Sequence, residues 1–265
     1  MASSSKHADT ARAELIGRAE ALVKAHMAQY DPSHDWAHVD RVRKTAMRIA
    51  RSLNPEPDLL VVELAALFHD MADGMSAPYS STAPLTTATP PTRYLPTDSP
   101  STDKPTRPAK YTSTSSLPTL LSPFFTHPST SSVLLPSQVT LITRIIPSVS
   151  WTAEARQRAA PGEYTRWHET CPELCAVQDA DRLDAIGAVG VMRCAAFSGV
   201  KGRKLVDDAD TNGGGSAEAH FEEKLLKIKG RMKTDFGRAE AERRHQTMVN
   251  FLEALESERR TWTDE

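Results

Sequence analysis

The sequence predicts an all-α fold, and three observations carry that prediction. Apolar residues return every three or four positions through most of the chain, which turns one face of a helix toward a core. Sustained two-residue alternation, the mark of half-buried strands, is absent. Proline, serine and threonine crowd into one stretch between the third and fourth main helices instead of being spread along the chain.

Taken in order, Leu15, Ile16, Ala19, Leu22, Val23, His26 and Met27 give one amphipathic helix over about 10–29, broken by Asp31-Pro32-Ser33. Val39, Val42, Ala46, Ile49 and Leu53 give a second, ended by Asn54-Pro55. Residues 58–70 make a third helix, apolar on most faces and therefore buried. Residues 76–132 stand apart: 36 of these 57 are Ser, Thr or Pro, and they hold 11 of the chain's 18 prolines. Such a segment lacks the apolar surface to offset its ordering entropy, so it is expected to be a disordered insertion, a modified, partner-binding linker being the alternative. Val139, Ile142, Ile145 and Ile146 suggest a short helix that Pro147 disturbs. Leu174, Val177, Leu183, Ile186, Val189, Met192 and Ala196 predict one long central helix. Asn212-Gly213-Gly214-Gly215-Ser216 reads as a flexible loop, Phe221, Leu225, Leu226 and Ile228 as a further helix, and Met248, Phe251, Leu252 and Leu255 as the last. The expected organisation is one domain over 10–258 interrupted at 76–132, with tails at 1–9 and 259–265.

Composition narrows the function classes. A net charge of −2 with interspersed signs gives no general nucleic-acid surface and no polybasic membrane anchor. Cys171, Cys175 and Cys194 form no CxxC pair and are poor metal-ligand candidates. They fit a reducing compartment. No apolar stretch is long enough to span a bilayer, and the N-terminus lacks the apolar core of a signal peptide. The expected setting is the cytoplasm, with the nucleus as a second location; homodimerisation is compatible with the sequence.

The chemistry is concentrated in His69-Asp70, at the end of the apolar run of the third helix. His38 lies upstream in His34-Asp35-Trp36-Ala37-His38, and Asp181 downstream in Asp179-Ala180-Asp181-Arg182-Leu183-Asp184. Two imidazoles with two carboxylates form a mixed nitrogen and oxygen donor set suited to a divalent metal, Mn²⁺ foremost, with Mg²⁺, Co²⁺, Fe²⁺ or Ni²⁺ as alternatives. His34 and His38 share a face if their helix starts at about Asp35, as do Asp181 and Asp184, with Asp179 turned away. For His69-Asp70 the competing reading is a helix-terminal charge pair, and for Asp181 an ion pair with Arg182 or another surface arginine.

The order His38…His69-Asp70…Asp181 resembles the HD-domain superfamily of metal-dependent phosphohydrolases. The segments SHDWAHVDRV (33–42), LAALFHDMAD (64–73), VQDADRLDAIGAVGVMR (177–193) and HFEEKLLKIKGRMKTDFGRAEAERRHQTMVNFL (220–252) are similar to the bacterial and fungal HD subfamily that hydrolyses nucleoside triphosphates to monophosphate and pyrophosphate. The resemblance covers about 12–75 and 133–258. It implies an HD-domain helical bundle, His38, His69, Asp70 and Asp181 as metal ligands, and Asp73 as the group that positions or deprotonates the attacking water. A turn-capping role is the alternative for Asp73. Candidates for positive charge around phosphate are His34, Lys224, Lys227 and Arg243, a merely solvated side chain being the alternative for each, with Asp184 orienting a ligand or contacting ribose. The expected partner is a small nucleotide. A phosphomonoesterase of the 5′-nucleotidase type and a non-catalytic metal- or nucleotide-binding scaffold are the competing functions.

Overall fold

A computed structural model describes residues 2–28, 34–71, 116–207 and 215–262. Among the described residues there are twelve α-helices, three 3₁₀ turns and no strand, as the periodicity predicted. The helices are α1 (Ala2–Met27), α2 (Trp36–Ser52), α3 (Leu59–Phe68), α4 (Ser116–Phe125), α5 (Pro128–Ser131), α6 (Pro136–Ile145), α7 (Trp151–Ala159), α8 (Arg166–Thr170), α9 (Pro172–Asp184), α10 (Gly187–Val200), α11 (Ala217–Glu223) and α12 (Asp235–Arg259). Among them no single helix is long and apolar enough to cross a membrane.

Helix α3 is the hub. Eight of its ten residues are buried, and α1, α2, α6 and α9 pack around it, with α2 also lying along α9. Fully burying a side chain such as Leu64 or Leu67 contributes about 1.5–3 kcal/mol, so this short helix is held by packing rather than propensity. Its start is fixed by Asp58, whose carboxylate accepts from the backbone N–H of Leu60 (3.0 Å) and Val61 (3.2 Å). Its end tightens into a 3₁₀ turn, His69–Met71, which buries all three residues.

Four expectations are revised. The first helix begins at Ala2, so most of the expected tail 1–9 is helical. Residues 116–132, counted into the Ser/Thr/Pro-rich segment, form α4 and α5: Leu121 and Phe124 are buried, and Phe68 packs edge-on against Phe124 at 5.1 Å. A few well-placed aromatic and aliphatic side chains here outweigh a composition that argues for disorder. The long helix expected over 174–196 is two helices, α9 and α10, whose axes meet at 68°. The break needs glycine: Gly187 has φ +75°, and a Cβ on Gly190 would stand 2.4 Å from the Ala185 carbonyl oxygen. Finally, Leu225, Leu226 and Ile228 lie in a 3₁₀ segment (Leu225–Arg231) after α11 rather than in one helix with Phe221. Residues 76–115, the break at Asp31-Pro32-Ser33, the Asn212–Gly214 part of the glycine loop and Asp73 lie outside the described residues.

Candidate metal centre

Three elements bring four predicted ligands to one point. Asp35 caps α2 and accepts from the His38 backbone N–H at 2.9 Å, which fixes His38 in the first turn. The 3₁₀ turn after α3 presents His69 and Asp70, and α9 presents Asp181. His38, His69 and Asp70 are buried, whereas the Asp181 side chain is 22% exposed, so the cluster opens on the Asp181 side.

Both imidazoles are held in one orientation by their Nδ1 atoms. His38 Nδ1 donates to Asp184 Oδ2 at 2.7 Å, and His69 Nδ1 donates to the Ala66 carbonyl at 2.7 Å. In the neutral rings this leaves both Nε2 atoms as lone pairs. They face each other at 3.3 Å. Around them stand Asp70, with Oδ2 3.2 Å from His38 Nε2 and Oδ1 3.3 Å from His69 Nε2, and Asp181 Oδ1 at 3.7 and 3.8 Å. Asp70 Oδ2 is cut off from solvent and, among the described residues, lies outside hydrogen-bonding geometry with any partner. Four acceptors that cannot satisfy one another, spaced near the ~3 Å that separates neighbouring donors about 2.1 Å from one octahedral ion, fit a divalent cation. His38, His69 and Asp181 by themselves have donor atoms mutually within 4.8 Å.

The electrostatics agree. Burial opposes a charged His38, but the hydrogen bond to Asp184 and the negative charge of nearby Asp70 outweigh it and push its pKa up to about 9. Burial would raise Asp70, yet His69, His38 and His34 hold it far below the ordinary carboxylate range. The pocket therefore favours positive charge at a buried point.

Asp184 works one step back. Besides His38 it accepts from Arg41 Nε (2.7 Å), Arg41 Nη2 (3.0 Å) and Arg193 Nη1 (3.1 Å). Burial raises its pKa, but His38 and Arg41 dominate and hold it well below the usual range. It is thus the carboxylate that orients a ligand, a role seen behind many metal-bound histidines. The bend between α9 and α10 lets Arg193 reach it. Arg41 and Arg193 were not singled out in the sequence, because an arginine in a polar stretch and one in the middle of an apolar helix carry no periodic signal.

The remaining candidates divide. The His34 ring stands 6.1 Å from that of His38 and 6.1 Å from that of Phe197, joining the ligands to α10. Lys201 and Arg203 each lie 5.5 Å from the Phe197 ring. Burial raises the Cys194 thiol against a hydrogen bond from Ser198 and the charges of Arg203 and Lys224. Burial and Lys224 lower His220, with Arg203 acting the same way, so Lys224 and Arg203 share one neighbourhood. Lys227 is exposed, and Arg243 is exposed and paired with Glu240 at 2.7 Å; neither is brought against the four ligands. Among the described residues no arginine pairs with Asp181; Arg182 turns to another face of α9 and pairs with Glu154.

No protein-family model matches the chain. The uncharacterized protein YpgQ of Bacillus subtilis (strain 168) is 30% identical over 236 residues, 89% of each chain. The crystal structure of B. subtilis YpgQ in complex with ADP aligns with a TM-score of 0.59 at 28% identity, over 92% of this chain and 97% of that one. A HD-superfamily hydrolase from Bacillus thuringiensis aligns with a TM-score of 0.60 at 26% identity, over 93% of this chain and 97% of that one. An all-α fold whose paired histidines and aspartates converge from separate helices on one cation position defines an HD-domain protein with a divalent-metal site. The chain belongs to the HD-domain superfamily, in the family that includes YpgQ.

Proposed function

We propose that the chain is a divalent-metal-dependent phosphohydrolase that cleaves (deoxy)nucleoside triphosphates to monophosphate and pyrophosphate. One observation carries the hydrolytic part: two histidine Nε2 atoms at 3.3 Å, enclosed by Asp70 and Asp181, with no protein donor between them. His38, His69, Asp70 and Asp181 would hold the ion, with Mn²⁺ the best match to mixed imidazole and carboxylate donors. When bound, such an ion supplies a Lewis acid for phosphate oxygen and lowers the pKa of a coordinated water.

The chain's own residues supply the rest. Asp184 and the Ala66 carbonyl keep both rings aimed, so little reorganisation is needed when substrate arrives. His34, Lys201, Arg203 and Lys224 furnish positive charge along the α10–α11 side, where the triphosphate would lie beside the ligands. Water attacks the α-phosphorus, the α–β anhydride bond breaks, and the electron pair leaves on pyrophosphate. Asp73, two residues beyond the last described residue of this segment, is the proposed acceptor of the water's proton.

Two similarities support the reading: a relative of this fold is described as a hydrolase, and the YpgQ crystal structure contains ADP. The test is to supply Mn²⁺, screen nucleoside triphosphates, and measure pyrophosphate and phosphate separately. Pyrophosphate with monophosphate is the expected outcome. Phosphate alone would move the reading to a phosphomonoesterase, and no hydrolysis of any nucleotide with no bound metal would end it.

A further inference from the structure

A second pocket lies behind the metal centre, on the far side of the His38 ring. Its volume is about 320 Å³, and its charged lining is Arg41, Lys44, Asp184, Arg243 and Arg244. The geometry separates it from the ligand cluster: Asp184, in its wall, meets His38 at Nδ1, while the four ligands gather at Nε2.

Four cations line this pocket against one carboxylate, and that carboxylate is already saturated by His38, Arg41 and Arg193. Arg41 uses Nε and Nη2 on Asp184, and among the described residues Nη1 has no protein acceptor. Arg244 donates Nε to Glu240 (2.8 Å) and Nη1 to the Leu183 carbonyl (2.6 Å), which leaves Nη2 without an acceptor among the described residues. Arg243 pairs with Glu240 and Lys44 with Asp40 (2.6 Å), each within one helical turn and with basic side chains 69% and 73% exposed. Exposed pairs of this kind contribute little to stability and exchange readily for a better acceptor. Guanidinium N–H groups converging on a concave surface match the oxygens of a phosphate. The rest of the wall, Thr45, Ile186, Ala188, Val189 and Thr247, adds three aliphatic side chains and two hydroxyls and could take a sugar or base attached to it.

We propose that this pocket is a second binding site, for a phosphate-type oxyanion, either free or as the phosphate end of a nucleotide. It stands independently of the hydrolytic reading, since it uses none of the four ligands. It adjoins them through Asp184, so an anion that draws on Arg41 would alter the carboxylate that orients His38.

The test is calorimetric titration of the full chain, in the presence of chelator, with inorganic phosphate and separately with AMP. Wild type and Asp181→Asn, which alters only the metal centre, should bind with equal affinity. The double variant Lys44→Ala/Arg243→Ala, two exposed positions whose loss leaves the core intact, should bind about tenfold or more weakly, as expected for losing charge-assisted contacts. Circular dichroism checks that the variant is folded. Equal affinities for phosphate and AMP would assign the site to the free anion, and tighter AMP binding to a nucleotide. Unchanged affinity in the double variant, loss of binding in Asp181→Asn, or no binding by wild type at millimolar anion would each overturn the proposal. Because hydrolysis plays no part in the measurement, failure of the site and failure of the proposed activity are seen separately.

Discussion

Helix α9 buries charged side chains on two faces and treats them differently. On the face toward α7 and α12, Asp179 accepts from the backbone N–H of Lys233 (3.0 and 3.1 Å), the N–H of Thr234 (2.8 Å) and its hydroxyl (2.7 Å). Arg182 pairs with Glu154 and donates to the Arg231 carbonyl at 2.6 Å. Burial still disfavours both charges: it raises Asp179 despite those bonds, and with Arg231 it lowers Arg182 to about 10. Each charge nevertheless has its partner within the protein. On the face toward α2 and α3, Asp181 meets two imidazole nitrogens and Asp70, and the group has acceptors in excess of donors. One face gives each charge an ion-pair or hydrogen-bond partner, with Arg182 Nε left over; the other gathers carboxylates and imidazoles positioned to take an added cation. Buried charge alone does not mark a functional site, but buried charge that its neighbours cannot satisfy does.

Three substitutions separate the faces, and they are taken from the largest expected effect to the smallest. His69→Ala removes a ligand, so Mn²⁺ binding measured by calorimetry should fall by more than the roughly 10–100-fold typical of losing an outer partner. A variant with wild-type Mn²⁺ affinity would place the metal elsewhere. Arg182→Met removes one guanidinium from Glu154, 0% exposed, which keeps Arg158 (2.6 Å) and Lys233 (3.9 Å), so urea unfolding should show a loss of about 1–3 kcal/mol. The folded fraction should bind Mn²⁺ as wild type does; reduced metal affinity would mean the two faces are coupled. Asp184→Asn keeps the size of the side chain but weakens its hold on His38, so Mn²⁺ affinity should drop about 10–100-fold with the fold intact.

The same variant gives a pH signature. Asp184 is held below its ordinary range in the folded chain, so the unfolded state takes up its proton first as pH falls. Its contribution to stability is complete above the ordinary carboxylate range and is lost as pH drops through the folded pKa. Urea unfolding in chelator should therefore show the largest gap between wild type and Asp184→Asn near neutrality, closing toward acid. A gap that widens on acidification would reverse the assigned role.

Much of this molecule was legible in the chain. The helices rich in Leu, Val and Ile were, because each buries a face whose period the sequence displays. So was the cluster of His38, His69, Asp70 and Asp181, because histidines and aspartates beside apolar runs stand out. The short polar helices α7 and α8 were not, since their ends are set by caps such as Ser150 on the Ala153 N–H and they bury little. Nor was the packing of Leu121 and Phe124, where local composition and tertiary contact pull in opposite directions.

The sequence by itself determined the all-α class and the apolar hub helix, and it singled out the four histidines and aspartates that the fold brings together, because periodicity and side-chain chemistry are local properties. Only the tertiary structure decided that α9 stops at Asp184, that Arg193 folds back onto that aspartate, and that Arg41 reaches it from α2. It alone placed Arg243 behind the centre, in a pocket of its own. These depend on a glycine turn and on distances across residues far apart in the chain, such as His38 and Asp184, and no local pattern records them.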